Sequence, residues 1–581
     1  MAGSLAYFRR VLFDSSSRIA CLSWPLFFAL PRPCSRVLST WTMPTKYIIA
    51  EILRLMPDLE SFSRPSSAEA PEISIDRDLA TKVLFALIAM VATWKICLYV
   101  DRARKIGRMN MPVVPGGLPF FGQVLELIRL PPWDLMVQWM ERLGPIYRFT
   151  LFGESCVVVA DPGLLREVLQ TSMKAFQKDL GFTYKPFMPL LGTGLVTSEG
   201  QLWYTQRAMV SSVFRIEILE IIPDIAKRAV ERLCTKLESV RNTDQAVEIG
   251  EMFRHLTLQV IAEAVLSLSP EESDQTFARM YLPIVTEGNR RTWYPHRAYL
   301  PTPAFWAFRK DVKVLNDYIT SVIEKRWQLR QCEAKEPSHL PPPASAASPP
   351  HRQHDILDRI LDGVHPKTWG SATVRQIRDE IKTFILAGHE TSASMLTWAL
   401  YEATQSQGVA DRVAAEAAVV FGPDASATTP LPAADKLGSL IYTQCCLKEA
   451  LRKYSVVPIV TRETVREVSL GSGRYLIPKG TRMMILIQGV HHRKDLWPSP
   501  LTYRPERFLK KGPEPFTFLP FIDGPRNCLG QHLALLETKI VLATLLQRFR
   551  FEAIGGERAG RKHPSMVPVI PDDPGLMVVV R

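Results

Sequence analysis

The chain has 581 residues, a hydrophobic fraction of 46% and a net charge of +13, enough apolar material for a large core. The basic balance suits an anionic membrane surface or an acidic protein partner, and the lack of any zinc-finger spacing or RNA-binding aromatic signature ranks nucleic acid last. Nine cysteines, an odd number with no CxxC among them, argue against a secreted disulfide framework and against a structural zinc site.

Residues 1–48 are rich in arginine and serine, with Asp14 the only acid. That is the bias of a transit peptide or of a disordered basic tail. Val83–Val100 reads VLFALIAMVATWKICLYV, interrupted only by Lys95. It is a short candidate for a transmembrane anchor, since a span needs about 20 apolar residues. Arg102, Arg104, Lys105 and Arg108 follow it, and an acid-rich stretch precedes it. The positive-inside rule then keeps the C-terminal body on the cytosolic or stromal side. MPVVPGGLPFFG, Met111–Gly122, follows as a stiff bent hinge.

From about residue 125 the pattern is mainly helical with short strands. Arg148–Pro162 alternates and turns like a β-hairpin with a Phe-Gly-Glu corner. Ser469–Ile487 reads as a second short β unit with glycine turns. Residues 336–354 (EPSHLPPPASAASPPHRQH) cannot build a core and read as a surface insertion within one domain.

GQLWYTQR sets Trp203 and Arg207 four apart on one helix. AGHETS, Ala387–Ser392, lies in an apolar helix expected from about Val374 to Tyr401. It places a carboxylate, Glu390, beside a hydroxyl, Thr391, where Ala387 and Gly388 leave space. EALR puts Glu449 and Arg452 three apart, near enough to pair.

FIDGPRNCLG, Phe521–Gly530, holds a single cysteine, Cys528, just before a helix. Free N–H groups and the dipole at a helix N-terminus favour a thiolate. Gly524 and Pro525 make a tight turn, Gly530 opens the helix, and the glycines let the backbone approach a flat ligand. Phe521 can pack beside such a ligand and Arg526 can reach a carboxylate on its edge. Zinc is excluded, because His532 alone does not complete a tetrahedral site. A nucleophile would want a paired base, and none is evident locally. A buried structural thiol and an axial ligand to a flat cofactor remain.

The pattern F-x-x-G-x-R-x-C-x-G resembles the haem-binding loop of the cytochrome P450 superfamily, and four further motifs stand in that family's order. The resemblance covers residues 110–581. It implies a mainly α fold with small β-sheets, a single large haem domain behind an N-terminal membrane anchor. It implies haem b (iron protoporphyrin IX) with Cys528 as axial ligand to the iron, in a loop that includes Phe521, Gly524, Arg526 and Gly530. AGHETS resembles the oxygen-binding helix, with Ala387 at the cofactor and with Glu390 and Thr391 delivering protons. Trp203 and Arg207 match a W-x-x-x-R element that binds a haem propionate, and Arg462 in PIVTRET matches another propionate position. Glu449 and Arg452, with Arg507 of YRPERF, match a buried Glu–Arg–Arg cluster.

The activity implied is insertion of one oxygen atom of O2 into a lipophilic substrate such as a fatty acid, sterol or carotenoid. The nearest groups within the family are fatty-acid and plastid carotenoid hydroxylases. Electrons from NADPH would arrive indirectly, through a separate acidic redox partner, a flavin reductase or a ferredoxin. Lys510, Lys511, Lys539, Arg548 and Arg550 would steer that partner. The membrane implied is the cytosolic face of the endoplasmic reticulum or a plastid membrane. The competing classes are a P450-fold hydroperoxide isomerase or lyase that does not use O2, a non-enzymatic haem-binding protein, and a structural membrane protein. Three departures stand out: Lys453, Tyr454 and Ser455 follow EALR with proline delayed to Pro458, the 336–354 tract is extra, and Asp523 replaces a small residue. Asp523 is expected to face solvent rather than the sulfur.

Overall fold

A hairpin follows from the alternating segment. β1 (Ile146–Leu151) and β2 (Glu154–Val159) pair antiparallel, with Leu151 opposite Glu154. The two turn residues, Phe152 and Gly153, both have positive φ, the geometry that matches the twist of paired strands. The other strands are β3 (Phe176–Gln177), β4 (Val247–Glu248), β5 (Ile459–Thr464), β6 (Val468–Leu470), β7 (Tyr475–Ile477), β8 (Arg482–Leu486), β9 (Phe551–Ala553) and β10 (Met577–Val580). The largest sheet runs β1-β2-β8-β5-β3, with β2 parallel to β8 and the other pairs antiparallel. A second sheet runs β4-β10-β9, and β6 pairs with β7 alone. The expected β unit over Ser469–Ile487 therefore splits. Its first half is the β6–β7 hairpin, and its last strand leaves to sit between β2 and β5.

The computed structural model describes residues 109–118, 120–214, 216–333, 355–423, 432, 434–509, 512–556, 559–563 and 568–581, with five isolated positions between 86 and 107. Residues 1–48 and 336–354 lie outside these, as does most of Val83–Val100. No described helix is long and apolar enough to cross a membrane. The chain divides into two units, Met1–Ala103 and Arg104–Arg581. The second contains everything that follows.

Helices make up most of that unit. They include α1 (Pro132–Leu143), α2 (Gly200–Val213), α3 (Ile216–Glu238), α4 (Ile249–Leu266), α5 (Ala278–Trp293), α6 (Pro303–Glu333), α7 (Ser371–Gln405), α8 (Gln407–Phe421), α9 (Ile441–Tyr454) and α10 (Gln531–Arg548). α7 runs through the main core against α4, α6, α9 and α10. It is buried nearly all round, as an apolar helix inside a large domain must be. Several of its buried polar groups are paired: Asp379 with Lys382 at 2.9 Å, and Thr383 and Thr397 with carbonyls one turn back. α10 is likewise buried from Glu537 to Leu546 rather than along the single face that Leu533, Leu536, Ile540 and Ala543 suggest.

The two sides of the 336–354 tract pack together. Arg326 on α6 contacts Asp355 and Asp358 at 2.9 and 2.8 Å, and Trp327 stacks on Trp369 with ring centroids 4.2 Å apart. The unusual sequence after EALR is also accommodated. Ser455 takes a left-handed conformation that ends α9, and its N–H donates to Leu451 O at 3.0 Å. Tyr454 stacks on Trp398 at 3.9 Å, and Lys453 Nζ reaches Glu402 Oε1 at 2.6 Å.

Candidate active site

The cysteine loop closes on itself. Cys528 N–H donates to Phe521 O, and Asn527 N–H to Gly524 O, both at 3.0 Å. Gly524 has φ +81°, and a Cβ there would sit 2.4 Å from Leu169 O. Its glycine is thus required by the turn and by the neighbouring backbone. Gly530 has an ordinary φ of −82° and caps α10, and a Cβ on it would lie 4.0 Å from Cys528 Sγ. Asp523 is exposed and accepts from Gly524 N–H at 2.6 Å.

Burial raises the Cys528 thiol, while the Gly530 N–H and the Arg207 guanidinium pull it down. The net direction is upward, so the helix terminus alone does not favour a thiolate here. A bound metal ion would deprotonate it. Cys528 nevertheless has exposed surface. The thiol is thus not sealed into the core.

α2 brings Trp203 and Arg207 to this loop. Arg207 Nη1 donates to Asn527 O at 2.7 Å and Nη2 to the Asn527 side chain. Trp203 is buried, with the Arg526 guanidinium 4.6 Å above its ring. Arg526 grips Glu199 with both terminal nitrogens, and its Nε is buried without a partner. The carboxylate that Arg526 holds is thus the protein's own. Glu199 also accepts the Lys178 N–H at 2.6 Å. Lys178 and Arg462 are buried close by. Burial lowers the pKa of both amine and guanidinium, that of Lys178 to about 7.

Midway along α7 the burial breaks. Ala387 is exposed and Thr391 half-buried, although the turns on either side are buried all round. This stretch therefore faces interior space. Thr391 Oγ1 donates to Ala387 O at 2.7 Å. Gly388 does not leave room: a Cβ on it would lie 2.7 Å from Ile261 of α4. Glu390 is turned into the same helix contact. Arg254 Nη2 and His389 Nε2 lie 2.7 and 3.1 Å from its Oε1. Burial works to raise its pKa, but His389 and Arg254 overcome it and hold the carboxyl at about 2. In this arrangement Glu390 is an ion-paired anion that joins α7 to α4.

Behind the loop, Arg452 makes two bonds to the Glu449 carboxylate at 2.7 and 2.8 Å, and Arg507 Nε adds a third at 3.1 Å. Glu449 and Arg452 are fully buried. His491 carries the cluster to the cysteine loop. Its main-chain carbonyl accepts from Arg452 at 3.0 Å, and its Nε2 accepts from Leu519 N–H at 2.8 Å.

The basic docking patch does not form as expected. Lys539 is buried, Arg548 pairs with Glu231 through two bonds of 2.6 Å, and Arg550 pairs with Asp411 at 2.7 Å. Lys510 and Lys511 lie outside the described residues. Sequence reasoning missed Lys178, Glu199 and His491. HHRKDLW and the acid preceding Gly200 were visible, but nothing local links them to Cys528.

The residues present fit haem. A lone thiol has exposed surface, and of the neighbouring cations Lys178, Arg462 and Arg526 only the last pairs with the carboxylate of Glu199. That excess of buried positive charge calls for an anionic group. Among the described residues no group of three His, Cys, Asp or Glu side chains could hold a metal ion alone. The comparisons agree. The family model for cytochrome P450 matches residues 112–577. Cytochrome P450 4c21 of Blattella germanica is 27% identical over 490 residues, covering 81% of this chain and 94% of its own length. Cytochrome P450 4V2 of Mus musculus is 30% identical over 471 residues, covering 78% and 84%. Cytochrome P450 4A2 of Rattus norvegicus is 28% identical over 429 residues, covering 71% and 80%. The chain belongs to the cytochrome P450 family and is a haem-dependent P450 monooxygenase.

Proposed function

We propose that Cys528 is the axial thiolate of haem b, and that the chain oxygenates a lipophilic substrate such as a fatty acid, sterol or carotenoid. The observation that carries this reading is Cys528 itself, an exposed thiol in a closed loop, with the Gly530 N–H bonded to its sulfur and the Arg207 charge close enough to act on it. Haem, when bound, supplies activation of O2 for insertion of one oxygen atom into a C–H bond. The chain's own residues bind, orient and shield. Trp203, Arg462 and the unpaired Nε of Arg526 are suited to a propionate, while Arg207 steadies the loop through Asn527. The Thr391 hydroxyl donates to Ala387 O and keeps its lone pairs available to a water in the interior space. Glu390 serves as a fixed anion that clamps α7 to α4.

Electrons come from a separate partner, a flavin reductase or a ferredoxin, with NADPH used indirectly. The lipophilic substrate is supported by exposed Tyr294, Tyr299, Leu300 and Trp306 at the α5–α6 connection. Membrane attachment, at the endoplasmic reticulum or a plastid, is supported by Val83–Val100 and by exposed Leu118, Phe120, Phe121, Leu125 and Ile128. In domain terms, 1–48 is a leader or tail, 83–100 the anchor, and 110–581 the haem domain with its 336–354 insertion.

The test is the spectrum of the ferrous–CO complex. The purified chain should show the red-shifted band of a thiolate-ligated haem, and Cys528→Ala should lose it. A band that survives that substitution overturns the assignment. Thr391→Ala should keep the band but divert consumed O2 to peroxide, and unchanged coupling would refute the role of that hydroxyl. Turnover without a reductase would point instead to hydroperoxide rearrangement.

A further inference from the structure

The short helix Val124–Arg129 (VLELIR), between the hinge and α1, buries none of its residues, although four of the six are apolar. Leu125 is 52% exposed and Ile128 45%, three apart on one face. Just before the helix, the exposed rings of Phe120 and Phe121 meet at 5.4 Å, and each packs edge-on against Phe152 of the β1–β2 turn. An apolar helix that buries nothing in its own protein, beside exposed rings, suits a lipid surface.

A pocket opens where this helix meets α1. Leu135, Gln138, Trp139 and Arg142 line it from α1. They recur at i, i+3, i+4 and i+7 and so share one face. Leu135 and Trp139 are buried and form the floor. Arg129 and Arg142 are exposed, and Glu126 lines the helix side. The volume is about 240 Å³. That is below the range of about 300–1,000 Å³ for drug-sized ligands, and it suits a small headgroup. Among the described residues neither arginine has an ion pair or a side-chain hydrogen bond. Two guanidiniums against one carboxylate leave one positive charge over, which a single phosphodiester cancels.

We propose that this pocket holds the phosphate of an anionic glycerophospholipid between Arg129 and Arg142, with the acyl chains lying along Leu125 and Ile128. The inference rests on the membrane attachment read above and gives it a headgroup site of defined chemistry. Each guanidinium offers a planar fork of donors matched to phosphate oxygens. A zwitterionic headgroup brings an ammonium toward two arginines, so a net anionic lipid is preferred. A free phosphate gains the same charged bonds but nothing from Leu125 and Ile128, whose cover by acyl chains adds the hydrophobic part.

The experiment keeps the full chain in detergent and counts bound lipid by native mass spectrometry. The probes are dioctanoyl phosphatidylglycerol, dioctanoyl phosphatidylcholine and glycerophosphate. The chain should hold one phosphatidylglycerol about 10-fold more tightly than phosphatidylcholine, and glycerophosphate should not displace it. Arg129→Gln and Arg142→Gln should each abolish the preference. Both arginines are exposed and unpaired, so these variants should melt at the wild-type temperature. Arg142→Lys keeps the charge without the fork and should not restore the preference. Equal binding of the two lipids, or a preference that survives the Gln or the Lys variants, overturns the proposal. Displacement by glycerophosphate overturns the lipid as occupant. A wild-type chain that fails to sediment with vesicles of either lipid overturns the membrane reading itself.

Discussion

Arg207 Nη1 donates to the main-chain carbonyl of Asn527 at 2.7 Å, across 320 positions of sequence. The bond ties α2 to the residue next to Cys528, while the same guanidinium pulls the thiol's pKa down. Arg207→Leu removes both bonds to Asn527. It should lower the unfolding free energy by about 1.5–3 kcal/mol, the usual worth of charged hydrogen bonds. It should also make the Cys528 thiol less reactive at a given pH. Arg207→Lys should recover the charge but not the planar fork, and so restore reactivity more than stability. Chemical denaturation and a thiol-alkylation pH profile read the two effects separately.

The two loop glycines should behave oppositely. Gly524→Ala forces a side chain into a left-handed turn and against Leu169 O. That should cost about 2–4 kcal/mol, combining backbone strain with overpacking. Gly530→Ala has ordinary φ and ordinary contacts, and its stability should stay within about 0.5 kcal/mol of the wild type. Thermal and urea melts of the two variants test the contrast.

Glu449 receives three side-chain bonds from two arginines with no access to water. Glu449→Gln leaves buried positive charge without its counter-ion, and the expected loss is about 3–5 kcal/mol. Because His491 links Arg452 to Leu519, amide hydrogen exchange in Phe518–Ile522 should accelerate as well. A variant with wild-type protection there would show that the cluster does not support the cysteine loop.

Glu390 makes stability depend on acid. Its carboxyl sits at about 2 in the folded chain against an ordinary value of 4.5. The folded state therefore holds this proton less tightly than the unfolded state does. The contribution is complete above pH 4.5 and is lost as the pH falls from there toward 2. Glu390→Gln should remove this part of the acid sensitivity and should cost about 1–3 kcal/mol at neutral pH by leaving Arg254 short of an acceptor. Urea midpoints taken every half unit between pH 2.5 and 6 would show it. An identical slope in both proteins would contradict the pairing.

Much of the site was legible because its motifs are local. Cys528, Gly524 and Gly530 lie within ten residues, and Glu449 and Arg452 within one helical turn. Trp203 and Arg207 share another. The helices carrying AGHETS and QHLALLETK announce themselves by length and apolar content. The opposition of Lys178 and Arg462 was not legible, because it lies in the register of β3 against β5, strands 286 positions apart at the Gln177–Glu463 contact. The partners of Glu390 were hidden for a related reason. Its neighbour Thr391 does face interior space, but one helical step turns Glu390 toward Arg254.

The sequence by itself determined the family and marked out the cysteine loop and the helices that bracket it, since these depend on residue type and short spacing. Only the tertiary structure decided which charges meet. It paired Arg526 with Glu199, set Glu390 against Arg254, placed Lys178 opposite Arg462 and buried Lys539 inside α10's packing. A charge acquires its role from the partners and the dielectric around it, and both are assembled from segments hundreds of residues apart.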